Sequence, residues 1–128
     1  DKLFALAVSP DGRFLATSAW NAKDGNQVRV WELADGKIQL RSALIAESSR
    51  IDTLAFHSDS AIPYLSGGGE KKWIRVWDWN SGASQKTFVG HLERITCVRY
   101  SPNGKWIGSS STDGTVRVWE AFDLQKID

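Results

Sequence analysis

One cysteine and no methionine occur among the 128 residues of this chain. With Cys97 alone, an internal disulfide and a cysteine-cluster metal site are both excluded. Cys97 lies in an apolar strand pattern with Ile95 and Val98, where a lone thiol reads as a small buried hydrophobe. No apolar stretch reaches the roughly 18 residues that mark a membrane-spanning helix. No charged-then-apolar leader opens the chain either. Neither charge sign prevails: 16 basic residues face 15 acidic ones, without a run of like charge. The sequence pI of about 8.1 is modest for a nucleic-acid binder, so a nucleic-acid reader is disfavoured. A start at Asp1 rather than Met leads us to expect a piece of a longer protein.

What the chain does have is a repeat. Val28–Trp31 reads VRVW, Ile74–Trp77 reads IRVW, and Val116–Trp119 reads VRVW again. The three tryptophans stand 46 and 42 residues apart. A period of about 40–45 residues, with four short strands in each, marks a β-propeller blade. A second alignment supports the first. Leu6-Ala7-Val8-Ser9-Pro10-Asp11-Gly12 matches Leu54–Ser60 and the run ending Tyr100-Ser101-Pro102-Asn103-Gly104. Ser-Pro-Asp-Gly and Ser-Pro-Asn-Gly suit type I turns: Ser leads, Pro presets φ at the second position, and Gly closes.

Each unit therefore reads as strands joined by tight turns. Unit one gives Leu3–Val8, Arg13–Ser18, Val28–Leu33 and Ile38–Leu44. Unit two gives Ile51–Phe56, Tyr64–Ser66, Trp73–Trp79 and Lys86–Phe88. Unit three gives Ile95–Tyr100, Trp106–Ser110 and Thr115–Ala121, with a fourth strand near Leu124–Ile127. Alternation places Val116 and Val118 on one face and Thr115, Arg117 and Trp119 on the other. No segment reads as a helix of useful length. Asn21–Asn26, Gly67–Lys72, Asn80–Ser84 and Thr112–Gly114 read as turn-rich connections. The expected organisation is one all-β domain over 1–128: three four-stranded antiparallel blades, approximately 1–45, 46–89 and 90–128, the last short of its outer strand.

On these residues the chain resembles the WD-repeat (WD-40) β-propeller family. The family pattern is Gly-His, then Ser, Asp and Trp-Asp at set distances. Gly90-His91 places the histidine 28 residues before Trp119, while Ser109 and Asp113 stand 10 and 6 before it. Glu120 replaces the usual final Asp. The resemblance implies a structural tetrad of His91, Ser109, Asp113 and Trp119, in which the indole bonds the serine, the serine the histidine, and the histidine the aspartate. Units one and two are degenerate. Glu47 stands at the histidine position of unit two, with Glu70 the nearest turn acid; Asp24 is the corresponding acid of unit one. The tetrad is not carried onto either.

Several residues invite a chemical reading and have a plainer one. Ser109, His91 and Asp113 resemble a nucleophile triad, but no Gly-x-Ser-x-Gly elbow accompanies them. Gly67-Gly68-Gly69-Glu70-Lys71-Lys72 lacks P-loop spacing and reads as a flexible hairpin loop. His57 has no second ligand at metal-binding distance and reads as a solvated or turn-bonding residue. Trp106 matches Phe14 and is expected in the core. Trp73 is expected to pack on the blade face. Trp20 lies in a loop lengthened by Trp20-Asn21-Ala22-Lys23, either as a local apolar cap or as a partner anchor.

No catalytic cluster, cofactor or metal is expected. The resemblance implies a non-catalytic scaffold that binds other proteins or peptides through loops on one propeller face. On this chain those positions are Arg50, Asp52 and Gly69 in unit two, Arg94, Thr96 and Thr112 in unit three, and Trp20, Asn21 and Lys23 in unit one. The alternative is a regulatory portion of a larger enzyme or signalling protein whose catalytic residues lie elsewhere. An intracellular, cytoplasmic location is expected, with no membrane partner. Propellers close with about 4–8 blades, so three leave two raw edges. Either further blades of a parent chain continue on both sides, the preferred reading, or the chain assembles into a ring.

Overall fold

A computed structural model describes residues 2–46 and 49–121. Among them, the β-branched and aromatic runs form eleven strands in three antiparallel sheets and no helix. Sheet one orders β1 (Lys2–Val8), β2 (Phe14–Asn21), β3 (Gly25–Ala34) and β4 (Lys37–Leu44) side by side. Sheet two orders β5 (Ile51–Phe56), β6 (Tyr64–Gly69), β7 (Trp73–Asp78) and β8 (Ala83–Val89) in the same way. Sheet three holds β9 (Ile95–Tyr100), β10 (Trp106–Ser111) and β11 (Val116–Glu120). The fourth strand expected near Leu124–Ile127, and Glu47, fall outside the described residues.

The Ser-Pro turns form as their chemistry dictates. Ser9 Oγ donates to Asp11 Oδ1 at 2.7 Å and the Gly12 amide donates to the Ser9 carbonyl at 2.9 Å. Ser101, Asn103 and Gly104 repeat both bonds at the same distances. In sheet two His57 replaces the serine. Its Nδ1 accepts the Asp59 amide at 3.0 Å, a bond of the opposite sense to the one the serine hydroxyls donate to the side chain two residues on.

Sheets stack face to face, with β1 against β5 and β5 against β9. Two apolar cores fill the junctions. The first joins Ala16, Val28, Val30 and Leu44 of sheet one to Ile51, Leu54, Leu65, Trp77 and Trp79 of sheet two. The second joins Ile74, Val76 and Phe88 of sheet two to Ile95, Val98 and Ile107 of sheet three. Val28 and Ile74 hold one position in successive sheets, as do Val30 and Val76. Each sheet thus shows one face forward and the other back, and each junction repeats the last. Polar bonds cross the junctions too: Ser18 Oγ donates to the Ile51 carbonyl at 2.6 Å, and Ser58 Oγ to the Ser101 carbonyl at 2.7 Å.

Three expectations are corrected and one pair of alternatives is decided. Gly67–Gly69 form no loop but end strand β6, wholly buried. A Cβ on Gly67 would stand 2.9 Å from Trp77 Cζ3, and one on Gly68 would stand 3.0 Å from Ile95 Cβ. A Cβ on Gly69 would meet the Arg50 carbonyl. These glycines are there for lack of room, and only Glu70–Lys72 turn the chain. Trp20 likewise is in a strand, β2, paired to Lys2 and Asn26, because the extra residues lengthen the hairpin itself. Trp106 is exposed rather than core. Its counterpart Phe14 packs at 4.6 Å on Trp79 of the next sheet, and no described sheet lies against Trp106. Of the two readings of His57 the turn-bonding one holds, and the residue is buried rather than solvated: its ring lies 4.9 Å from that of Tyr100, against the Gly104 turn. Cys97 is half-buried, and Trp73 packs partly buried against the first core.

Candidate functional site

Two groups of residues carry the chemistry. In the first, β10 holds Ser109, β11 holds Trp119, and the segments flanking β9 and β11 bring in His91 and Asp113. Trp119 Nε1 donates to Ser109 Oγ at 2.9 Å. His91 Nε2 lies 2.8 Å from the same oxygen, and His91 Nδ1 lies 3.0 Å from Asp113 Oδ2. The carboxylate accepts from Nδ1–H, which leaves Nε2 to accept the serine proton. Asp113 also receives the Leu92 amide at 2.9 Å, the Thr115 amide at 2.8 Å and the Thr115 hydroxyl. The Thr115 hydroxyl, then those amides and His91, hold its carboxyl well below the usual carboxylate range. Ser109 is 3% exposed, with its oxygen engaged by an indole and an imidazole. The bonds tie the approach to β9 onto the hairpin between β10 and β11.

The other sheets keep parts of this arrangement. In sheet one Trp31 Nε1 donates to Thr17 Oγ1 at 2.9 Å. Thr17 precedes Trp31 by 14 residues rather than 10, the difference being the four residues that lengthen the hairpin. Asp24 takes no tetrad role; its amide donates to Asn21 Oδ1 at 2.6 Å. In sheet two Gly67 stands at the hydroxyl position, and Trp77 Nε1 donates instead to the Ile45 carbonyl at 3.2 Å.

The second group lies on one face. Lys2, Phe4, Trp20, Asn26, Arg50 and Glu70 line a concavity of about 330 Å³. Arg50 Nε donates to Asp52 Oδ1 at 2.8 Å, and its guanidinium sits 5.4 Å above the Phe4 ring. The Asp52 hydrogen bond raises the Arg50 pKa above its already high usual value. Trp20 is 39% exposed. Asn21 joins Lys2, Trp20 and Ala22 around an adjoining hollow, and Lys23 is exposed at the hairpin tip. Arg94, Thr96 and Thr112 form a separate cluster on sheet three. There the Thr112 amide donates to the Arg94 carbonyl at 3.2 Å, and Thr96 Oγ1 lies 2.8 Å from Ser110 Oγ. They do not line the concavity.

Lys2, Phe4, Asn26 and Glu70 were not among the residues that the sequence marked for partner binding. The signal for two of them was present. Under the alignment of units, Lys2 takes the place of Arg50 and Arg94, and Phe4 that of Asp52 and Thr96. Sheet one alone presents an aromatic there, beside the aromatic of its longer hairpin.

Three stacked antiparallel sheets, each built on a repeated Trp-bearing third strand, define a propeller repeat protein. The family model for the WD domain, G-beta repeat, matches residues 1–32 and 82–120, and the chain belongs to that family. The unmatched stretch contains three of the four strands of sheet two, where Gly67 stands at the hydroxyl position. The chain is 30% identical over 118 residues to a serine-threonine kinase receptor-associated protein of Dictyostelium discoideum, covering 92% of this chain and 37% of that protein. The Homo sapiens protein of the same name is 37% identical over 70 residues, 55% of this chain and 19% of its own length. Cilia- and flagella-associated protein 52 of Homo sapiens is 29% identical over 96 residues, 73% of this chain and 15% of its own length. The chain thus spans little more than a third of the first relative.

Proposed function

We propose that this chain is a non-catalytic interaction scaffold that grips a peptide or protein segment on the face carrying Lys2, Phe4, Trp20 and Arg50. One observation carries the reading: an exposed Trp and a Phe flank an Arg in a single concavity. Trp and Arg recur as binding anchors because each offers large contact area with a polar end. Two backbone ladders hold Trp20, and Asp52 fixes Arg50, so little side-chain freedom is left to lose on binding. A fitting partner presents an apolar side chain to Phe4 and Trp20 and a carboxylate to Lys2 and Arg50. The relatives named for association with a receptor are in keeping with such a role.

A peptide array probed with the chain tests this. Peptides pairing an aromatic or aliphatic residue with an acidic neighbour should be retained. Changing Trp20 and Arg50 together to Ala should abolish retention while the strand circular-dichroism signal persists. Phe4→Ala alone should weaken it. Retention that survives these changes places the binding face elsewhere.

A further inference from the structure

The hollow of about 330 Å³ lies at one end of the junction between sheets one and two, where two matching rows of side chains line it. Backbone pairing sets Lys2, Trp20 and Asn26 in one row across β1, β2 and β3. On sheet two the Glu70 amide donates to the Arg50 carbonyl at 2.9 Å, so Arg50 and Glu70 repeat the places of Lys2 and Trp20. Neighbouring strands stand about 4.8 Å apart, close enough for one short peptide to touch a whole row. Both walls belong to sheets that pack on each other within the chain, and neither is a face left bare at an end of it. At the junction of sheets two and three the same places carry Arg50, Glu70, Arg94 and Thr112, with no aromatic. The arrangement therefore occurs once among the described residues.

The charges around the hollow are unequally committed. Asp52 holds Arg50 through Nε at 2.8 Å and Nη2 at 3.3 Å, which offsets the guanidinium charge. Lys2 and Glu70 are exposed and enter no ion pair among the described residues. One open positive charge and one open negative charge thus share the hollow with the rings of Phe4 and Trp20. Asn26 adds a carboxamide with no side-chain hydrogen bond among the described residues. A carboxamide offers donor and acceptor together, as an extended main chain does. A lone anion would meet Lys2 and leave Glu70 and both rings unanswered. A nucleic acid presents phosphates of one sign, which Glu70 repels. A peptide that carries both signs around an apolar side chain answers every group.

We propose that the partner segment is zwitterionic: an acidic side chain meets Lys2 beside Arg50, an apolar one lies on Phe4 and Trp20, a basic one meets Glu70, and Asn26 bonds the main chain. This inference rests on the binding face proposed above and makes Lys2 and Glu70 the residues that set specificity. Titration of the chain against labelled peptides tests it. Each peptide centres on an aromatic or aliphatic residue flanked by an acid and a base in either order, by two acids, by two bases, or by serines. The acid-and-base set should bind about fivefold more tightly than the two-acid set, the worth of one well-placed surface ion pair. Glu70→Lys should turn the preference to two acids, and Lys2→Glu should turn it to two bases. Both positions are exposed, so circular dichroism should not change. Added salt should level the charged sets. Equal binding of all four sets, still weakened by Phe4→Ala, would overturn the zwitterionic partner and leave the binding face standing. A wild-type preference that neither charge reversal moves would overturn it as well. Binding of no set would remove the face and the proposal together.

Discussion

Gly67 lies beneath the indole of Trp77 with no room for a side chain: a Cβ there would stand 2.9 Å from Trp77 Cζ3 and 3.0 Å from Leu54 Cδ2. In the neighbouring sheets the same position carries Thr17 and Ser109, each receiving the indole proton of its own tryptophan. Trp77 has dropped into the vacated space and donates to the Ile45 carbonyl of the connection from sheet one.

Restoring the family hydroxyl should therefore do harm. Gly67→Ser is expected to destabilise by about 1–3 kcal/mol, as other overpacked cores do. Urea denaturation checks it; an unchanged or raised midpoint would show that Trp77 moves aside freely.

The tetrad hydroxyls should differ in worth. Ser109→Ala removes the partner of both Trp119 Nε1 and His91 Nε2 in a buried setting, at an expected cost of about 1–3 kcal/mol. Thr17→Val removes one bond and keeps the shape of the side chain, so a loss under about 1.5 kcal/mol is expected. Equal midpoints for the two variants in urea would contradict this ranking.

Two groups contribute to the acid limb of stability in separate windows. Burial lowers the His57 pKa from its ordinary 6.5, so the folded state prefers the neutral ring. Its contribution is whole above pH 6.5 and is lost as pH falls from there through the lower folded value. The Asp113 pKa is lowered from 3.8, chiefly by the Thr115 hydroxyl, so its contribution is whole above 3.8 and fades only at more acid pH. His57→Gln should flatten the first window and Asp113→Asn the second, read as denaturation midpoints across pH. A first window that persists in His57→Gln would remove His57 from the account.

Two glycines of similar backbone should respond unequally. Gly104 has φ +73 and Gly114 φ +84, so alanine is strained at either, by roughly 1–2 kcal/mol. A Cβ at Gly114 meets nothing within 4 Å, whereas one at Gly104 would run into the His57 ring. Gly104→Ala should be the more damaging of the two in thermal melts.

Much of this was legible in the residues. Ile51–Phe56 and Ile95–Tyr100 were bounded from sequence as the structure has them, because apolar alternation ends at a turn signal in both. Gly67–Gly69 misled because glycine reports equally a need for flexibility and a lack of space, and only the backbone of Arg50 and the ring of Trp77 decide which. Trp106 misled because alternation shows which residues share a face, not which face another sheet covers. The turn bond of His57 was legible but its burial was not, because a turn residue in one sheet is a buried surface for the next. The Phe4–Trp20–Arg50 concavity joins β1, β2 and the approach to β5, an arrangement that no single unit reveals.

The bare strand at Gly67–Gly69 also limits how this sequence can drift. A side chain gained at Gly67 would meet Trp77, which fills its place and is bonded to Ile45. To make room the indole would have to withdraw, giving up that bond. Sheet two is committed to its present partner across the junction, and its future changes are tied to those of sheet one.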